Sequence, residues 1–257
     1  MLIGLAEEMP VLDKPVARQI GPHAHKRRFG GVLESFTPNW FAVTMGTGIL
    51  ALALAQFPQS PLLWTIGAAL WLGNALMFCA FALLFAARCL RCRAQTRAMM
   101  DHPVMPMFLG CIPMGLATVV NGLMVFGLPI LGSGVIAAAE ILWWIDVGMS
   151  LACGVVVPLA MFTRQVHALE QMTAVWLLPL VASEVAAVTG GMLVPHLDGS
   201  GQQMTVLVVS LMLWSCSVPM ALGVIVVLFL RLVLHKLPDT SMAASCWLAL
   251  GPIATGA

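Results

Sequence analysis

No charged side chain occurs in residues 35–87, and this is the first of several long uncharged stretches along the chain. A helix that crosses a bilayer needs about 20 mostly apolar residues, so residues 35–87 are long enough for two crossings. Charged residues make up 9% of the chain and hydrophobic residues 60%, whereas about a quarter of the residues in a soluble domain are charged. The pattern excludes an ordinary water-soluble protein and predicts an all-α membrane protein.

The same pattern predicts six complete membrane-spanning helices and the start of a seventh. The predicted spans are residues 38–57, 61–87, 103–127, 133–162, 172–194 and 204–230, with a partial span at residues 245–257. The 13 residues of that last segment would rise by about 20 Å as a helix, against a hydrocarbon core of about 30 Å. We therefore expect the transmembrane domain, residues 35–257, to be truncated from a longer architecture.

Lysine and arginine residues lie on one predicted side of the membrane. All 12 fall in four groups: residues 14–28, residues 88–97, Arg164, and Arg231 with Lys236. The alternate links contain none; these are residues 57–60, 128–133 and 195–202. Basic residues are retained on the cytoplasmic face in short loops, so we expect a cytoplasmic tail over residues 1–34 and a location in the bacterial inner membrane. The net charge of +1 does not indicate a nucleic-acid partner, and the expected partner of the basic groups is the lipid bilayer.

The odd-numbered spans contain an internal repeat. Each has an aromatic residue followed within about a turn by glycine or proline: FAVTMGTG from Phe41, FLGCIPMG from Phe108, WLLPLVAS from Trp176 and WLALGPIA from Trp247. The aromatic positions are 67, 68 and 71 residues apart, which is typical of one helical hairpin per repeat. The pattern predicts hairpins around a central pore, with each odd span broken near its middle.

Glycine and proline in these repeats are candidates for a transport pathway, because broken helices in a membrane are tolerated where they line a watery cavity. The candidate residues are Thr44, Gly46, Thr47, Gly48, Pro113, Met114, Pro179, Ser183, Glu184, Gly251 and Pro252. Two alternatives stay open. Small residues also pack helices together in lipid, and a hydroxyl such as that of Thr44 can bond back to its own helix.

Three acidic residues lie at predicted membrane depth, where a carboxyl group is costly and often functional. Glu184 lies near the middle of the fifth span and is the best candidate for proton coupling, although a structural hydrogen bond explains it equally well. Asp146 is expected to pair with a polar group of a neighbouring helix or subunit, and Glu140 to reach the outer interface. No lysine or arginine lies within a predicted span, which favours a channel or a low-affinity carrier, because a solute must be able to leave its site.

Other chemistry finds little support in the sequence. There is no P-loop for nucleotide-driven transport, and the seven cysteines and six histidines are dispersed, so we expect no metal and no cofactor. An intramembrane enzyme using Asp146, Glu184 and a histidine is disfavoured, because no histidine lies at mid-membrane. A non-transporting fragment is the remaining alternative.

The chain resembles the tellurite-resistance/dicarboxylate transporter family. This family includes bacterial tellurite-resistance proteins, fungal malate permeases and sulfite exporters, and slow anion channels of plant guard cells. The segments that carry the resemblance are PNWFAVTMGTGILA from Pro38, DHP from Asp101, WLLP from Trp176, the Gly190–Gly191 pair and WLALGP from Trp247.

The resemblance implies ten helices arranged as five hairpins, with odd helices around a pore, even helices in an outer ring, and three subunits in the assembly. It also implies transport of small inorganic or dicarboxylate anions. We expect C4-dicarboxylates such as malate as solutes, by passive or proton-coupled passage, with sulfite or tellurite-linked export as the alternative. The gating phenylalanine of the family lies in its ninth helix, so no residue quoted above is expected to have that role.

Overall fold

A computed structural model describes residues 29–57, 59–238, 240 and 242–256. The predicted tail therefore lies mostly outside the described residues. Within them, every regular element is helical, which confirms the predicted all-α membrane fold. The α-helices are α1 (Phe29–Ser35), α2 (Phe41–Leu54), α3 (Pro61–Arg91), α4 (Arg93–Asp101), α5 (Cys111–Gly122), α6 (Leu128–Leu131), α7 (Gly134–Thr163), α8 (Leu178–Leu193), α9 (Ser200–His235) and α10 (Leu250–Thr255).

Five helical segments are long and apolar enough to cross a membrane. They are the second to sixth spans: Pro61–Arg91, Met105–Leu131, Gly134–Thr163, Ala174–His196 and Ser200–His235. The first and seventh spans, Pro38–Leu54 and Ala243–Thr255, are shorter apolar helices. The second and sixth spans, α3 and α9, continue past their first arginines, Arg88 and Arg231, which are both buried.

The odd and even spans occupy different layers. In their most apolar windows, 61% of the third span and 72% of the fifth span are buried, against 17%, 28% and 22% for the second, fourth and sixth spans. The third and fifth spans, with the shorter first and seventh spans packed against them, therefore form an inner bundle, and the even spans face outward with apolar surfaces that suit lipid. This is the inner and outer arrangement that the resemblance implied.

Each odd span begins with a 3₁₀ segment and then becomes α-helical. The four 3₁₀ segments are Pro38–Trp40, Met105–Gly110, Ala174–Leu177 and Ala243–Ala249. The prolines of the later repeats, Pro113, Pro179 and Pro252, fall in the first turn of the α-helix that follows. Proline is tolerated there because its missing N–H would have no intrahelical partner. The predicted position of the breaks is therefore wrong: the 3₁₀ segments lie at the start of the odd spans, and the third span has a further irregular stretch, the π-helical turn Leu123–Gly127, towards its other end.

Equivalent points of two repeats pack directly against each other. Gly110 ends the 3₁₀ segment of the third span and lies on the main chain of Leu178, where α8 begins. A Cβ atom built on Gly110 would lie 2.3 Å from the Leu178 carbonyl oxygen. Only glycine allows this close approach between two backbones. At the outer face, Gly132 with a φ of 79° makes the short turn into the fourth span, a conformation that also favours glycine.

Candidate functional site

A cavity of about 250 Å³ lies inside the bundle of odd spans. All of its lining residues come from the first, third, fifth and seventh spans: Met45, Gly46, Ile49, Met114, Thr118, Leu177, Leu178, Val181, Val185, Trp247, Leu248, Gly251 and Thr255. We call it the central cavity. Its surface is mostly apolar, and the residues on its wall whose side chains can hydrogen-bond are Thr118, Thr255 and Trp247.

A second cavity, of about 260 Å³, adjoins the central cavity on the side where the odd spans begin. The two share Met45, Leu178 and Leu248 as lining residues. The rest of its wall is Ala42, Phe108, Cys111, Val175, Met242, Ala244 and Ser245. We call it the lower cavity. Neither wall includes a lysine or arginine, so a solute here would meet apolar surface, hydroxyl groups and main-chain dipoles.

Three of the residues predicted for the pathway line the central cavity: Gly46, Met114 and Gly251. A Cβ atom at Gly46 or Gly251 would meet nothing within 4 Å, apart from each residue's own helix backbone and chain neighbours. Their small size therefore leaves the cavity open and is not needed for helix packing.

The other predicted residues of the first span have different roles or positions. Thr44 is buried and its hydroxyl donates to the Phe41 carbonyl oxygen at 2.7 Å, which is the back-bonding alternative. Gly48 packs against the third span, because a Cβ atom there would lie 2.1 Å from Thr118 Oγ1. Thr47 is half-buried and lines neither cavity.

The three predicted prolines and Ser183 lie behind the cavity wall. Pro113, Pro179 and Pro252 are buried in the first turns of their helices. Ser183 is buried within the fifth span and lines neither cavity.

Glu184 is fully buried, and its carboxyl group bonds to the wall of the central cavity. Thr255 Oγ1 donates to Glu184 Oε1 and also lies 2.9 Å from the Gly251 carbonyl oxygen. Glu184 Oε2 has no hydrogen-bond partner among the described residues. A hydroxyl group has one proton, so Thr255 can donate to only one of its two acceptors at a time. Thr255 therefore links the Glu184 carboxyl group to the main chain of the seventh span.

Sequence reasoning missed Thr118 and Thr255, the two hydroxyl groups on the cavity wall. Each lies four residues after a predicted cavity residue, Met114 and Gly251 respectively. Residues four apart lie on one face of an α-helix. Helical periodicity beyond the glycine and proline motifs was the signal that could have found them.

The two acids of the fourth span lie away from the central cavity. Asp146 is fully buried, and neither carboxylate oxygen has a hydrogen-bond partner among the described residues, so the predicted pairing with a neighbouring helix is absent there. Its neighbours on the helix, Trp143 and Ser150, donate to main-chain carbonyls of the fifth span at 2.8 and 3.2 Å. Glu140 lies at the outer end, where Gln202 Nε2 donates to both carboxylate oxygens.

A histidine connects two loops near the start of the fifth span. His167 Nε2 lies 2.9 Å from Gln165 Oε1, and Gln165 in turn donates to the Met100 carbonyl oxygen. The imidazole ring packs edge-on against Trp176, with centroids 5.1 Å apart. Partial burial lowers the pKa of His167 below its ordinary value, because water solvates the charged ring less well there.

The lowered pKa of His167 gives a pH prediction. A histidine whose pKa is lower in the folded than in the unfolded state does not change the free energy of unfolding at high pH. It lowers the free energy of unfolding as the pH falls through about 6.5, because the unfolded state then binds the proton more readily. We expect the Tm of the wild type to fall further between pH 7.5 and pH 5.5 than the Tm of His167→Gln. Thermal unfolding in detergent at both pH values measures this difference, and equal falls in the two proteins would contradict it.

Comparison with known proteins shows which family the chain belongs to. The sequence profile described as voltage-dependent anion channel matches residues 35–257. A sulfite efflux pump of Arthroderma benhamiae is 36% identical over 239 residues, which are 93% of this chain and 64% of the pump. An uncharacterized transporter of Methanocaldococcus jannaschii is 29% identical over 232 residues, 88% of this chain and 63% of the relative.

A more distant relative is the malic acid transport protein of Schizosaccharomyces pombe. It is 25% identical over 160 residues, 62% of this chain and 36% of the relative. The chain thus spans 64% of the length of the Arthroderma pump. The profile covers all seven spans and both cavities, and the predicted resemblance is confirmed: the chain belongs to the voltage-dependent anion channel family of membrane transporters.

Proposed function

We propose that this chain conducts small anions through the central cavity, with sulfite as the first candidate solute. The observation that carries the proposal is that four repeat-related segments enclose a cavity whose wall has no fixed cation. Without lysine or arginine at the wall, an anion is held weakly and can leave, as conduction requires.

Sulfite replaces malate as the leading candidate for two reasons. The similarity to the sulfite efflux pump covers more of the chain, at higher identity, than the similarity to the malic acid transport protein. A mostly apolar wall also disfavours a dianion, because the cost of desolvating an ion rises steeply with its charge. Sulfite exists partly as singly charged hydrogen sulfite near neutral pH, whereas malate carries two charges there. Tellurite-linked export has no separate support.

Flux into liposomes tests the substrate. We expect purified protein in phosphatidylcholine liposomes to pass sulfite several times faster than malate, at equal concentration and ionic strength. Protein-free liposomes are the control. Faster malate than sulfite would restore the dicarboxylate hypothesis. No flux of any anion would sink the proposal for this chain and favour a non-transporting fragment.

We further propose that Glu184 couples a proton to anion passage. When Glu184 is ionised, the Thr255 hydroxyl donates to the carboxylate. When Glu184 is protonated, its own O–H can donate to Thr255 Oγ1, and the Thr255 proton then returns to the Gly251 carbonyl oxygen. Gly251 and Thr255 both line the central cavity, so the proton changes the dipoles that face the solute.

Removing the titrating group is expected to flatten the pH dependence of flux. Glutamine at position 184 keeps the size of the side chain, can still accept from Thr255 and cannot ionise. We expect sulfite flux through Glu184→Gln to depend on pH only as far as the protonation of sulfite itself does. The control is Glu140→Gln at the outer end, which should keep the wild-type pH profile. An unchanged profile in Glu184→Gln would remove Glu184 from proton coupling.

The assembly and location also belong to this proposal. We propose a homotrimer in the plasma membrane, which in a bacterium is the inner membrane, because the even spans present apolar faces to their surroundings and the family resemblance implies three subunits. Mass photometry in detergent or nanodiscs distinguishes one copy from three.

A further inference from the structure

The sixth span carries a buried arginine at its cytoplasmic end. Arg231 is 5% exposed. Its Nε and Nη2 atoms donate to the Glu170 carbonyl oxygen at 3.1 and 2.6 Å, and Nη1 donates to the Lys236 carbonyl oxygen at 2.6 Å. All these acceptors are neutral main-chain atoms. Within the described part of the chain, the one lysine or arginine ion pair joins Arg164 to Asp101, so no described carboxylate oxygen lies within 4 Å of a nitrogen of Arg231, and Glu170 is the acidic residue on the same cavity wall.

This guanidinium group lines a cavity of about 400 Å³. Unlike the central cavity, it has a wall with a large polar share, formed by Glu170, Gln171, Thr173, Arg231, His235, Leu237, Pro238 and Met242. We call it the arginine cavity. Met242 also lines the lower cavity, which adjoins the central cavity through three shared residues. The arginine cavity therefore lies at the cytoplasmic end of the series of cavities along the inner bundle.

We propose that the arginine cavity is an entry site that binds one small inorganic anion before it passes to the central cavity. The inference rests on the proposed function, because an entry site presupposes a pathway. A guanidinium group has five N–H donors, and the three nitrogen atoms of Arg231 all bond to carbonyls, so two N–H groups are left for an anion. The Thr173 side chain, on the same wall, offers a hydroxyl donor.

The chemistry of the site separates anion attraction at Arg231 from anion passage through the central cavity. A buried cation without a charged partner is costly, and an anion in the adjoining cavity offsets that cost. The carbonyl bonds orient the guanidinium plane but leave its full charge, and that charge raises the local concentration of anions. The fixed charge lies outside the central cavity, so it gathers anions without holding them inside the apolar segment that they must cross.

Arg88 provides the matched control, since a buried arginine can also be purely structural. It is 4% exposed, lies at the cytoplasmic end of the second span, and donates Nη1 to the Phe36 carbonyl oxygen. It lines none of the three cavities described above. If Arg231 only ties the sixth span to the loop at Glu170, glutamine should have the same kind of effect at both positions.

Anion binding can be measured without transport. We expect potassium nitrate, exchanged for potassium gluconate at constant ionic strength, to raise the Tm of the wild type and of Arg88→Gln, because a ligand that binds the folded state stabilises it. The rise should be lost in Arg231→Gln and reduced in Thr173→Val, which keeps the carbonyl bonds of Arg231. Equal rises in all four proteins would overturn the site. If Arg231→Gln fails to fold, the nitrate-dependent rise in Tm of Thr173→Val and of Arg231→Lys tests the site instead.

Flux provides the second readout. At low ionic strength we expect Arg231→Gln to raise the anion concentration for half-maximal flux about three- to tenfold, the order expected for one unit charge at a water-filled mouth, with Arg88→Gln unchanged. An equal change in both variants, or in neither, would contradict the entry site. If the wild type passes no anion, the proposed function fails, and the nitrate-dependent Tm still decides whether the site exists.

Lipid headgroups offer the same chemistry as a free anion. Nanodiscs of phosphatidylcholine alone, compared with nanodiscs that also contain phosphatidylglycerol, separate the two sources. We expect the nitrate effect in both. If phosphatidylglycerol raises the Tm through Arg231 and nitrate then adds nothing, the ligand is a lipid and the entry site is wrong.

Discussion

Leucine at Gly46 is expected to reduce anion flux at least tenfold while leaving the protein folded. Gly46 lines the central cavity, and a Cβ atom there would meet nothing within 4 Å, apart from its own helix backbone and chain neighbours. The added isobutyl group therefore enters open space and fills part of a cavity of about 250 Å³. Leucine is also a better helix former than glycine, by roughly 0.8 kcal/mol in a helix interior. Stability should thus be kept or slightly raised, and the loss should appear in flux alone.

The matched control is Gly73→Leu on the second span. Gly73 is also exposed, also has open space around a Cβ atom, and lines none of the described cavities. We expect its flux to equal that of the wild type. The measurement is sulfite uptake at equal protein density, with Tm recorded for all three proteins. Wild-type flux through Gly46→Leu would show that the central cavity is not the pathway.

The spans and the relation among the odd ones were predictable from periodicity and charge, whereas the inner and outer layers were implied by the family resemblance. Uncharged stretches of about 20 residues must form helices in lipid, and the one-sided arginines and lysines orient them. The repeat from Phe41 to Trp247 then identified the odd spans as related, and two of them, the third and fifth, are the most buried spans in the structure. The uncharged stretches, the basic groups and the repeat are local features of the sequence, so a single sequence is enough to find them.

The wrong or missed details depend on contacts between segments distant in the chain. The sequence motif at Gly110 looked like a helix break, but the backbone of Leu178 is what requires glycine there. Arg231 looked like an orientation signal only, because nothing in the sequence shows that Glu170 lies against it. Thr255 directly follows the WLALGPIA motif from Trp247 but is not part of it, and its contact with Glu184 joins two different repeats.

Alanine at Gly110 is expected to cost the fold about 3 kcal/mol or more, the upper part of the range for overpacking a close-packed site. The new Cβ atom would lie 2.3 Å from the carbonyl oxygen and 2.6 Å from the carbonyl carbon of Leu178. Main-chain atoms cannot rotate away as a side chain can. Either α8 shifts at its first residue, or the 3₁₀ segment of the third span moves.

Gly154→Ala is the control for this substitution, because it points a methyl group at the same part of the fifth span. There the Cβ atom would lie 3.8 Å from the Pro179 carbonyl oxygen, an ordinary contact distance, and alanine favours the helix over glycine. We expect Gly154→Ala to keep or raise the Tm and Gly110→Ala to lower it by roughly 5–10 °C. Leu178 is the first residue of α8, the helix that carries Glu184. The fifth span also contributes four residues to the wall of the central cavity, starting at Leu177. We therefore expect flux to fall together with the Tm. A Tm for Gly110→Ala equal to that of Gly154→Ala would mean that the third and fifth spans do not meet backbone to backbone at this point.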